Sequence, residues 1–298
     1  MISINRILCP VDFFRASDKA VNYAAGLAAI YDAKVYLLHA VTPTIPTAYE
    51  FPMNTVAITR SMEEAAAPEM KKLAAKLKSR GVKAETWIRN GAVHDVIKRA
   101  ILTVKPDLIA MGTHGRTGIN RWFLGSETEW LMRHTPVPVL ALSPKERLRE
   151  PAFRRILVTT DFSEGTADAL EYAFSIAQEN ESRITLLHVI SDIAMDVSRK
   201  YRESIIDGVE RKLEGLVPDE AWEWCDIHTK VEVGHPYQLI ERTLERDKPD
   251  LLVMNIHGKG MLDRALLGST AERVVRSAKC PVLLIPPMKK VKARKRAA

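Results

Sequence analysis

The sequence predicts an α/β protein made of two tandem modules, each a parallel sheet covered by helices on both faces. Short, nearly continuous apolar runs alternate with amphipathic helical segments, as in parallel strands joined by helices. The chain also repeats itself after about 145 residues, so its 298 residues fit two copies. Finally, 46% of the residues are apolar and only 6% are aromatic, which favours an aliphatic core and excludes wholesale disorder.

The repeat sets the domain organisation. Residues 6–13, RILCPVDF, return as RILVTTDF 149 positions later, whereas KPDL at residues 105–108 returns after 143 positions. The offset falls once, between the second strand and the following helix, which indicates a difference in loop length. The predicted divisions are module 1 at residues 1–143, a polar, proline-bracketed linker at 144–153, module 2 at 154–287 and a basic tail at 288–298.

Within module 1 the predicted strands and helices alternate in strict order. Apolar runs too short for a helix predict buried strands, and apolar positions three to four residues apart predict helices. The predicted strands are Ile7–Val11, Lys34–Ala40, Lys83–Ile88, Leu108–Met111 and Val137–Leu142. The predicted helices cover residues 17–31, 61–81, 93–104 and 126–134.

The second of these helices has both a start and a stop signal. Ser61 with Glu64 three positions later forms a capping box, and Gly81 suits the residue that follows a helix. Pro68 predicts a kink or a later start. The preceding stretch, Thr42–Thr59, is then an 18-residue loop, which we interpret as a lid or partner surface or, alternatively, as a loop packed on its own module.

Charge and cysteine content narrow the class of protein. The net charge is +7, but residues 289–298 hold six Lys or Arg and no acid, so the rest of the chain carries only +1. We therefore expect no nucleic-acid interface beyond a weak contact of the tail. Three distant cysteines without a CxxC pair favour a reducing compartment over disulfides or a zinc knuckle. No apolar run is long enough to cross a membrane, and we expect a soluble, cytoplasmic protein.

A glycine-rich loop follows the fourth strand of each module. In module 1 it reads Gly112, two residues, Gly115, nine residues and then Gly125–Ser126 at the start of a helix. Glycines let the backbone approach an anion, and a helix N-terminus offers free N–H groups and a positive dipole end. The loop is neither a P-loop nor a dinucleotide fingerprint. An ordinary glycine loop is the alternative, but the second copy, Asn255–Ser269, keeps the spacing and favours a phosphate-binding loop.

With these motifs the sequence resembles the universal stress protein family in its tandem form, and in particular the branch whose G-x2-G-x9-G-(S/T) loop binds ATP. Pro-Val-Asp at 10–12, Leu-Leu-His at 37–39 and Pro-Val-Leu at 138–140 also carry the resemblance. It implies Rossmann-like modules of the adenine nucleotide alpha hydrolase type, with strand order 3-2-1-4-5. It further implies ATP, ADP or AMP as ligand, with or without magnesium. The two modules would pair through their last strands, and a homodimer is a further option.

The resemblance also implies which residues bind the nucleotide. In module 1 these are Pro10, Val11, Asp12, Ala40, Met111, Gly112, His114, Gly115, Arg116, Gly125, Ser126, Glu127 and Thr128. In module 2 they are Asp161, Val189, Met254, His257, Gly258, Gly268, Ser269 and Thr270. Asp12 would hold the ribose or adenine end, the backbone at Ala40 would line the adenine slot, and the loop would close on the phosphates.

The two modules depart from the family pattern in different places. In module 2 Asn255 replaces the first loop glycine, where its side chain would crowd a phosphate, and Thr159–Thr160 replace Pro10–Val11. In module 1 Glu127 follows Ser126, where a carboxylate competes with a phosphate. We therefore predict unequal sites, with module 1 the tighter one.

Other chemistry receives less support from the sequence. His39 and His188 end the second strands of the modules, and we interpret them as satisfied by backbone rather than as metal ligands, since no HxxxH or Cys/His pairing accompanies them. His114 and His257 lack the partner that would orient a general base. We therefore favour a nucleotide-binding protein with a signalling or protective role over a slow ATPase of the same fold or a nucleotide-free scaffold.

Overall fold

The structure, a computed structural model, describes residues 2–43, 55–113, 125–144, 153–192, 199–258 and 268–287, without the side chains of residues 199 and 200. The first half contains β1 (Arg6–Pro10), α1 (Arg15–Tyr31), β2 (Lys34–Val41), α2 (Thr55–Ser79), β3 (Lys83–Asn90), α3 (Val93–Val104), β4 (Leu108–Gly112), α4 (Ser126–His134) and β5 (Val139–Leu142). The second half contains β6 (Arg155–Thr160), α5 (Thr166–Asn180), β7 (Arg183–Ile190), α6 (Arg199–Glu214), α7 (Ala221–Trp224), β8 (Asp226–Val233), α8 (Pro236–Asp247), β9 (Leu251–Asn255), α9 (Ser269–Ser277) and β10 (Val282–Ile285).

All of these strands belong to one sheet, in the order β3-β2-β1-β4-β5-β10-β9-β6-β7-β8. Neighbouring strands within each half are parallel, which the alternation of strands and helices requires. Among the described strands only β5 and β10 pair antiparallel, with Leu140 opposite Leu283. The predicted α/β class, with two tandem units of parallel sheet and helices, is confirmed.

Two apolar layers hold the helices to the sheet. Because side chains alternate along a strand, Ile7 and Cys9 point into a layer covered by α1, α2, α5 and α6, whereas Leu8 points into one covered by α3, α4, α8 and α9. Both faces of the central strands are therefore buried, which explains their nearly continuous apolar sequences. The three cysteines are buried and form no disulfide among the described residues.

The predicted start of α2 is wrong. The helix begins at Thr55, so Ser61 lies within it instead of capping it, and the predicted loop Thr42–Thr59 is at least partly helical. The same helix passes through Pro68. Proline has no N–H, so the Glu64 carbonyl loses its helical hydrogen bond. Both residues are exposed. The buried side chains Thr59, Ala66, Met70 and Leu77 line one face on both sides of the proline. Tertiary burial of this face therefore outweighs the local capping and proline signals.

Other predicted features lie at the edges of what the structure describes. Gly81 follows α2 with φ +75°, as a residue ending a helix requires. Most of the predicted linker, the basic tail 288–298 and residues 44–54 of the predicted loop lie outside the described residues. Module 2 has a short helix, α7, that the sequence did not predict.

Candidate functional site

The candidate site of each half lies at the carboxyl ends of its first and fourth strands. In the first half these are β1 and β4, which pair with each other. The chain leaves β1 into α1 on one face of the sheet, and it reaches α4 on the other face after β4. Strands whose connections leave to opposite faces open a crevice between them, where α/β sheets bind ligands.

An aspartate-centred turn follows the first strand of each half. The Asp12 Oδ1 accepts a hydrogen bond from the Phe14 N–H at 3.0 Å, and Phe13 between them has φ +65°. In the second half the Asp161 Oδ1 accepts from the Ser163 N–H, also at 3.0 Å. These Asx turns fix both carboxylates, which are half-buried, at the mouth of the crevice.

The histidines that end the second strands support these turns. His39 Nδ1 lies 2.8 Å from the Val11 carbonyl oxygen, and its ring contacts Phe13 with centroids 4.4 Å apart. His188 Nδ1 makes the same contact with the Thr160 carbonyl oxygen at 2.8 Å. A carbonyl can only accept, so Nδ1 is the donor. The interpretation of these histidines as satisfied by backbone is confirmed.

In the first half both ends of the glycine loop are tied to the sheet. The Gly125 N–H donates to the Thr113 carbonyl at 2.8 Å, and the Thr128 hydroxyl donates to the Gly112 carbonyl at 2.9 Å. A Cβ at Gly112 would lie 2.7 Å from the Ala16 Cβ, so a side chain there would collide with the start of α1. Thr128 thus positions the loop through its side chain. The predicted residues His114, Gly115 and Arg116 lie outside the described residues.

In the second half three predicted residues come together. A Cβ at Gly258 would lie 3.1 Å from the Asp161 Oδ2, and one at Gly268 would lie 3.0 Å from the Ile256 carbonyl oxygen and 3.8 Å from the Gly258 nitrogen. The Gly268 N–H also donates to the Ile256 carbonyl at 3.1 Å. A side chain at either glycine would crowd a carboxylate or the backbone. The two glycines therefore keep open a cradle of backbone beside Asp161.

The structure corrects the expected effect of Asn255. With its amide oriented to satisfy its neighbours, Asn255 donates to the Gly165 carbonyl at 3.0 Å and accepts from the Thr166 N–H at 3.2 Å. Its side chain thus packs against the start of α5, where Gly165 leaves room for it. This contact, not the phosphate loop, takes up the space that the additional side chain needs.

The remaining predicted residues divide between core and surface. Val11, Met111 and Met254 are buried, so their side chains belong to the apolar layers, and Ala40 and Val189 pack against those layers from the strand ends. Pro10, His257 and Thr270 are half-buried, and Ser126 and Ser269 are exposed at the starts of α4 and α9. Glu127 is half-buried, and its Oε2 is buried without a hydrogen-bond partner among the described residues.

Sequence reasoning missed the exchange between Gly112–Ala16 in the first half and Asn255–Gly165 in the second. The signal was available, because the repeat offsets align Ala16 with Gly165 and Gly112 with Asn255. In each half one position of the pair is glycine and the other carries a side chain: Gly112 with Ala16, and Gly165 with Asn255. Reading both positions together would have indicated contact.

Within the described ranges, no three His, Cys, Asp or Glu side chains are grouped closely enough to hold a metal ion. Among the same residues, no helix combines the length and apolar composition that crossing a membrane requires. The described groups of the second site are Asp161, the cradle of Gly258 and Gly268, and the start of α9. Those of the first site are Asp12, the loop ends Gly112 and Gly125, and the start of α4 with Glu127.

Comparison with known proteins finds the same architecture. A model of the universal stress protein family matches residues 3–143 and 152–286. A universal stress protein of Mycolicibacterium smegmatis is 27% identical over 94% of this chain and 97% of its own length. One from Methanocaldococcus jannaschii is 32% identical over 47% of this chain and 86% of its own. The crystal structure of one from Archaeoglobus fulgidus superposes with a TM-score of 0.71 at 24% identity, covering 95% of this chain and 97% of that chain.

Proposed function

The chain belongs to the universal stress protein family, and we propose that it binds adenine nucleotides, ATP foremost, at the carboxyl ends of its strands. In this proposal it is a member of the ATP-binding branch of the family. Nucleotide occupancy would then serve a signalling or protective role in a stress response, in the cytoplasm.

The convergence of Asp161, Gly258 and Gly268 carries the proposal. An aspartate beside a glycine cradle suits a ligand with hydroxyls at one end and phosphates at the other, because the carboxylate accepts from hydroxyls and backbone N–H groups donate to phosphates. A Cβ at either position would lie about 3 Å from a carboxylate or a carbonyl oxygen, which explains why both positions are glycine. The first half offers the same parts in Asp12 and Gly125, so both halves are candidates.

The start of the following helix supplies the third part. Ser126 opens α4 and Ser269 opens α9, and no side chain of the described residues caps the N-terminus of either helix. The first N–H groups of each helix are therefore available to a phosphate, and the helix dipole favours negative charge there. A magnesium ion bound with the nucleotide would neutralise part of the phosphate charge beside Glu127.

Binding is better supported than hydrolysis. Phosphoryl transfer needs a positioned water and a metal held by carboxylates or hydroxyls. Among the described residues at the site of the second half, Asp161 is the carboxylate beside the glycine cradle, and it is already engaged in its Asx turn. We therefore propose retention of the nucleotide rather than its turnover.

We also propose that each half is a separate nucleotide-binding module and that β5 and β10 join them within one chain. Three residue pairs link these strands, centred on Leu140 and Leu283. Both strands are fully buried and apolar, as expected for a permanent contact rather than a transient one.

The test is calorimetric titration of the full chain with ATP, after mass spectrometry of any ligand released from the native protein. The variants are Gly125→Val and Gly268→Val, with Gly208→Val as the control, because a Cβ at Gly208 on α6 meets open space. Each loop variant should weaken one site at least tenfold, or about 1.4 kcal/mol, and the control should bind like the wild type. Unchanged ATP binding in both folded loop variants would overturn the proposal.

A further inference from the structure

A second pocket lies at the opposite end of the strands in the second half. Its volume is about 450 Å³, within the range of small-molecule sites. Polar and cationic residues at the amino ends of β6 and β7 and along β8 line it, among them Arg155, Arg183, Thr185, His228, Thr229 and Lys230. Arg155 begins β6, whereas Asp161 follows its last residue, so the pocket lies about 20 Å from the candidate nucleotide site along the strand.

The two halves differ at this place in strand register. β2 and β3 pair Tyr36 with Glu85 and then Leu38 with Trp87. β7 and β8 pair Thr185 with His228 and then Leu187 with Lys230 in the same positions. Threonine therefore replaces Tyr36, and lysine replaces Trp87.

In the first half the two aromatic rings occupy the face of the sheet. Tyr36 and Trp87 pack edge to face with centroids 5.8 Å apart, and Arg89 lies over the Trp87 ring at 5.0 Å. Both rings also pack against the apolar layer under α3 and α4. Replacing them with threonine and lysine removes most of this aromatic volume and leaves the pocket open in the second half.

The cations around the pocket are oriented by acidic partners that leave donors unused. Arg183 donates from Nε to Asp226 at 2.5 Å, and Arg155 donates from its two terminal nitrogens to Asp250 at 3.2 Å and to the Asp247 carbonyl at 3.5 Å. A guanidinium has five N–H donors, and among the described residues the terminal nitrogens of Arg183 have no partner. The Thr185 hydroxyl has none within the same ranges either. The pocket therefore presents hydrogen-bond donors that the described residues do not satisfy.

The acids nearby are themselves engaged. Asp226 also contacts His228 Nε2 at 3.0 Å, and Asp247 is held by Arg246 at 2.5 and 2.7 Å. Lys230 pairs with Glu232. Cations and carboxylates are thus close to balance, so a ligand would be held by hydrogen-bond donors and by fit more than by net attraction.

We propose that this pocket binds a small oxyanion, a phosphoryl or carboxylate group on a molecule that fills the space left by the two missing aromatic rings. The planar fork of Arg183 and the guanidinium of Arg155 match such groups, which accept two parallel hydrogen bonds. The Thr185 hydroxyl supplies a neutral donor beside them. The site is separate from the nucleotide sites and does not depend on the function proposed for them.

The test follows the ring signals of His228 by nuclear magnetic resonance while the full chain is titrated with inorganic phosphate in one arm and citrate in the other, both at physiological ionic strength. A saturable shift with either probe is expected, and the arm with the tighter binding identifies a phosphoryl or a carboxylate ligand. The same shift should persist in Gly268→Val, because the probe is not bound at the glycine loop.

Two variants localise the binding. Arg183→Gln removes the guanidinium fork, and the double variant Thr185→Tyr with Lys230→Trp restores the aromatic filling of the first half. Each should weaken probe binding at least tenfold, whereas Lys34→Gln, the control at the position matching Arg183 in the first half, should not change it. Melting curves establish that each variant folds. Absence of a His228 shift with both probes, or unchanged binding in folded Arg183→Gln, would overturn the proposal.

Discussion

The first position of each glycine loop contacts the start of the helix that follows the first strand, and the glycine of this contact lies on opposite sides in the two halves. Gly112 faces Ala16, and Asn255 faces Gly165. The Asn255 amide satisfies the Thr166 N–H at the start of α5, a role that a side chain at position 112 could not play because Ala16 fills the space. The two residues of each pair therefore fit each other. Changing one of them should lower the free energy of unfolding more than changing both.

We predict that Gly112→Asn lowers the free energy of unfolding by about 2 kcal/mol, since it forces a side chain against the backbone of α1. Adding Ala16→Gly should recover part of this loss, with Ala16→Gly alone as the control. A double-mutant cycle from urea unfolding measures the coupling. Additive effects of the two changes would contradict the assignment of the pair.

The predicted inequality of the two nucleotide sites now depends on Glu127 and on Thr159–Thr160 rather than on Asn255. Glu127 aligns with Thr270 in the second half, and its buried Oε2 has no partner among the described residues. A carboxylate there opposes phosphate unless a divalent cation lies between them. That module 1 binds more tightly stays a prediction, and we expect its binding to require magnesium more strongly.

Glu127→Thr should therefore raise ATP affinity in the absence of magnesium by about threefold to tenfold, or up to about 1.4 kcal/mol. The matched control is Thr270→Ser, which alters the second half without adding charge. Calorimetry with Asp12→Ala and Asp161→Ala variants assigns each affinity to its site. Equal magnesium dependence before and after the Glu127 change would show that this carboxylate does not face the phosphates.

At the scale of elements, four of the described helices end on residues other than glycine with positive φ. They are Asp32 after α1, Lys105 after α3, Glu181 after α5 and Lys248 after α8, with φ between 47° and 50°. The positions match pairwise between the halves, so the duplicated chain kept the geometry. Each of these residues bears the strain that a Cβ causes in the left-handed region.

Lys248→Gly should relieve this strain and raise the free energy of unfolding by about 0.5–1 kcal/mol, after the entropic cost of glycine in the unfolded chain. Lys248→Ala keeps the Cβ and is the matched control. Chemical denaturation of both variants checks the expectation. A gain as large for alanine as for glycine would assign the effect to the lysine side chain instead.

How much could be predicted from the sequence also differs between elements. The helices α3 and α4 match their predicted ranges. Their apolar residues recur every three to four positions, and the loop after each helix marks its end, so both signals are local in the sequence. The start of α2 was not predictable in this way. Thr59 is buried against the rest of the fold, and the helix therefore begins at Thr55, N-terminal to the predicted start at Ser61. In the same way the spacing gave the positions of Gly258 and Gly268, but the direction of Asn255 depends on Gly165, which is ninety residues away in the chain.

At the scale of the whole molecule, the two halves share an apolar junction beside β5 and β10. Tyr172 on α5 lies there with Ile4, Leu140, Phe153 and Leu283, around a small residual cavity. Burial raises the pKa of Tyr172 from its ordinary value of 10.0 to about 12, and nearby acids led by Asp107 add to the rise. The neutral phenol is therefore part of the junction.

A raised pKa means that the stability from neutral Tyr172 is complete below pH 10 and is lost as the pH rises from 10 towards 12. In the unfolded chain the phenol ionises first, so the loss should reach about 2 kcal/mol at the upper end. Tyr172→Phe should flatten this part of the stability profile. Denaturant unfolding between pH 9 and 11 compares the two proteins, and parallel profiles would contradict the role of Tyr172.

The antiparallel contact of β5 with β10 has a consequence for how the protein behaves on dilution. Two separate chains joined through the same strands would part below their dissociation constant, but here both strands belong to one chain, in which residues 143–154 connect β5 with β6 and so join the two halves. For halves joined by a short linker, the effective concentration of one half at the other is on the order of millimolar, well above the concentration of any single protein species in a dilute solution. The pairing is thus an intramolecular equilibrium, and the two sites stay in one particle at a fixed ratio of one to one, however few copies are present.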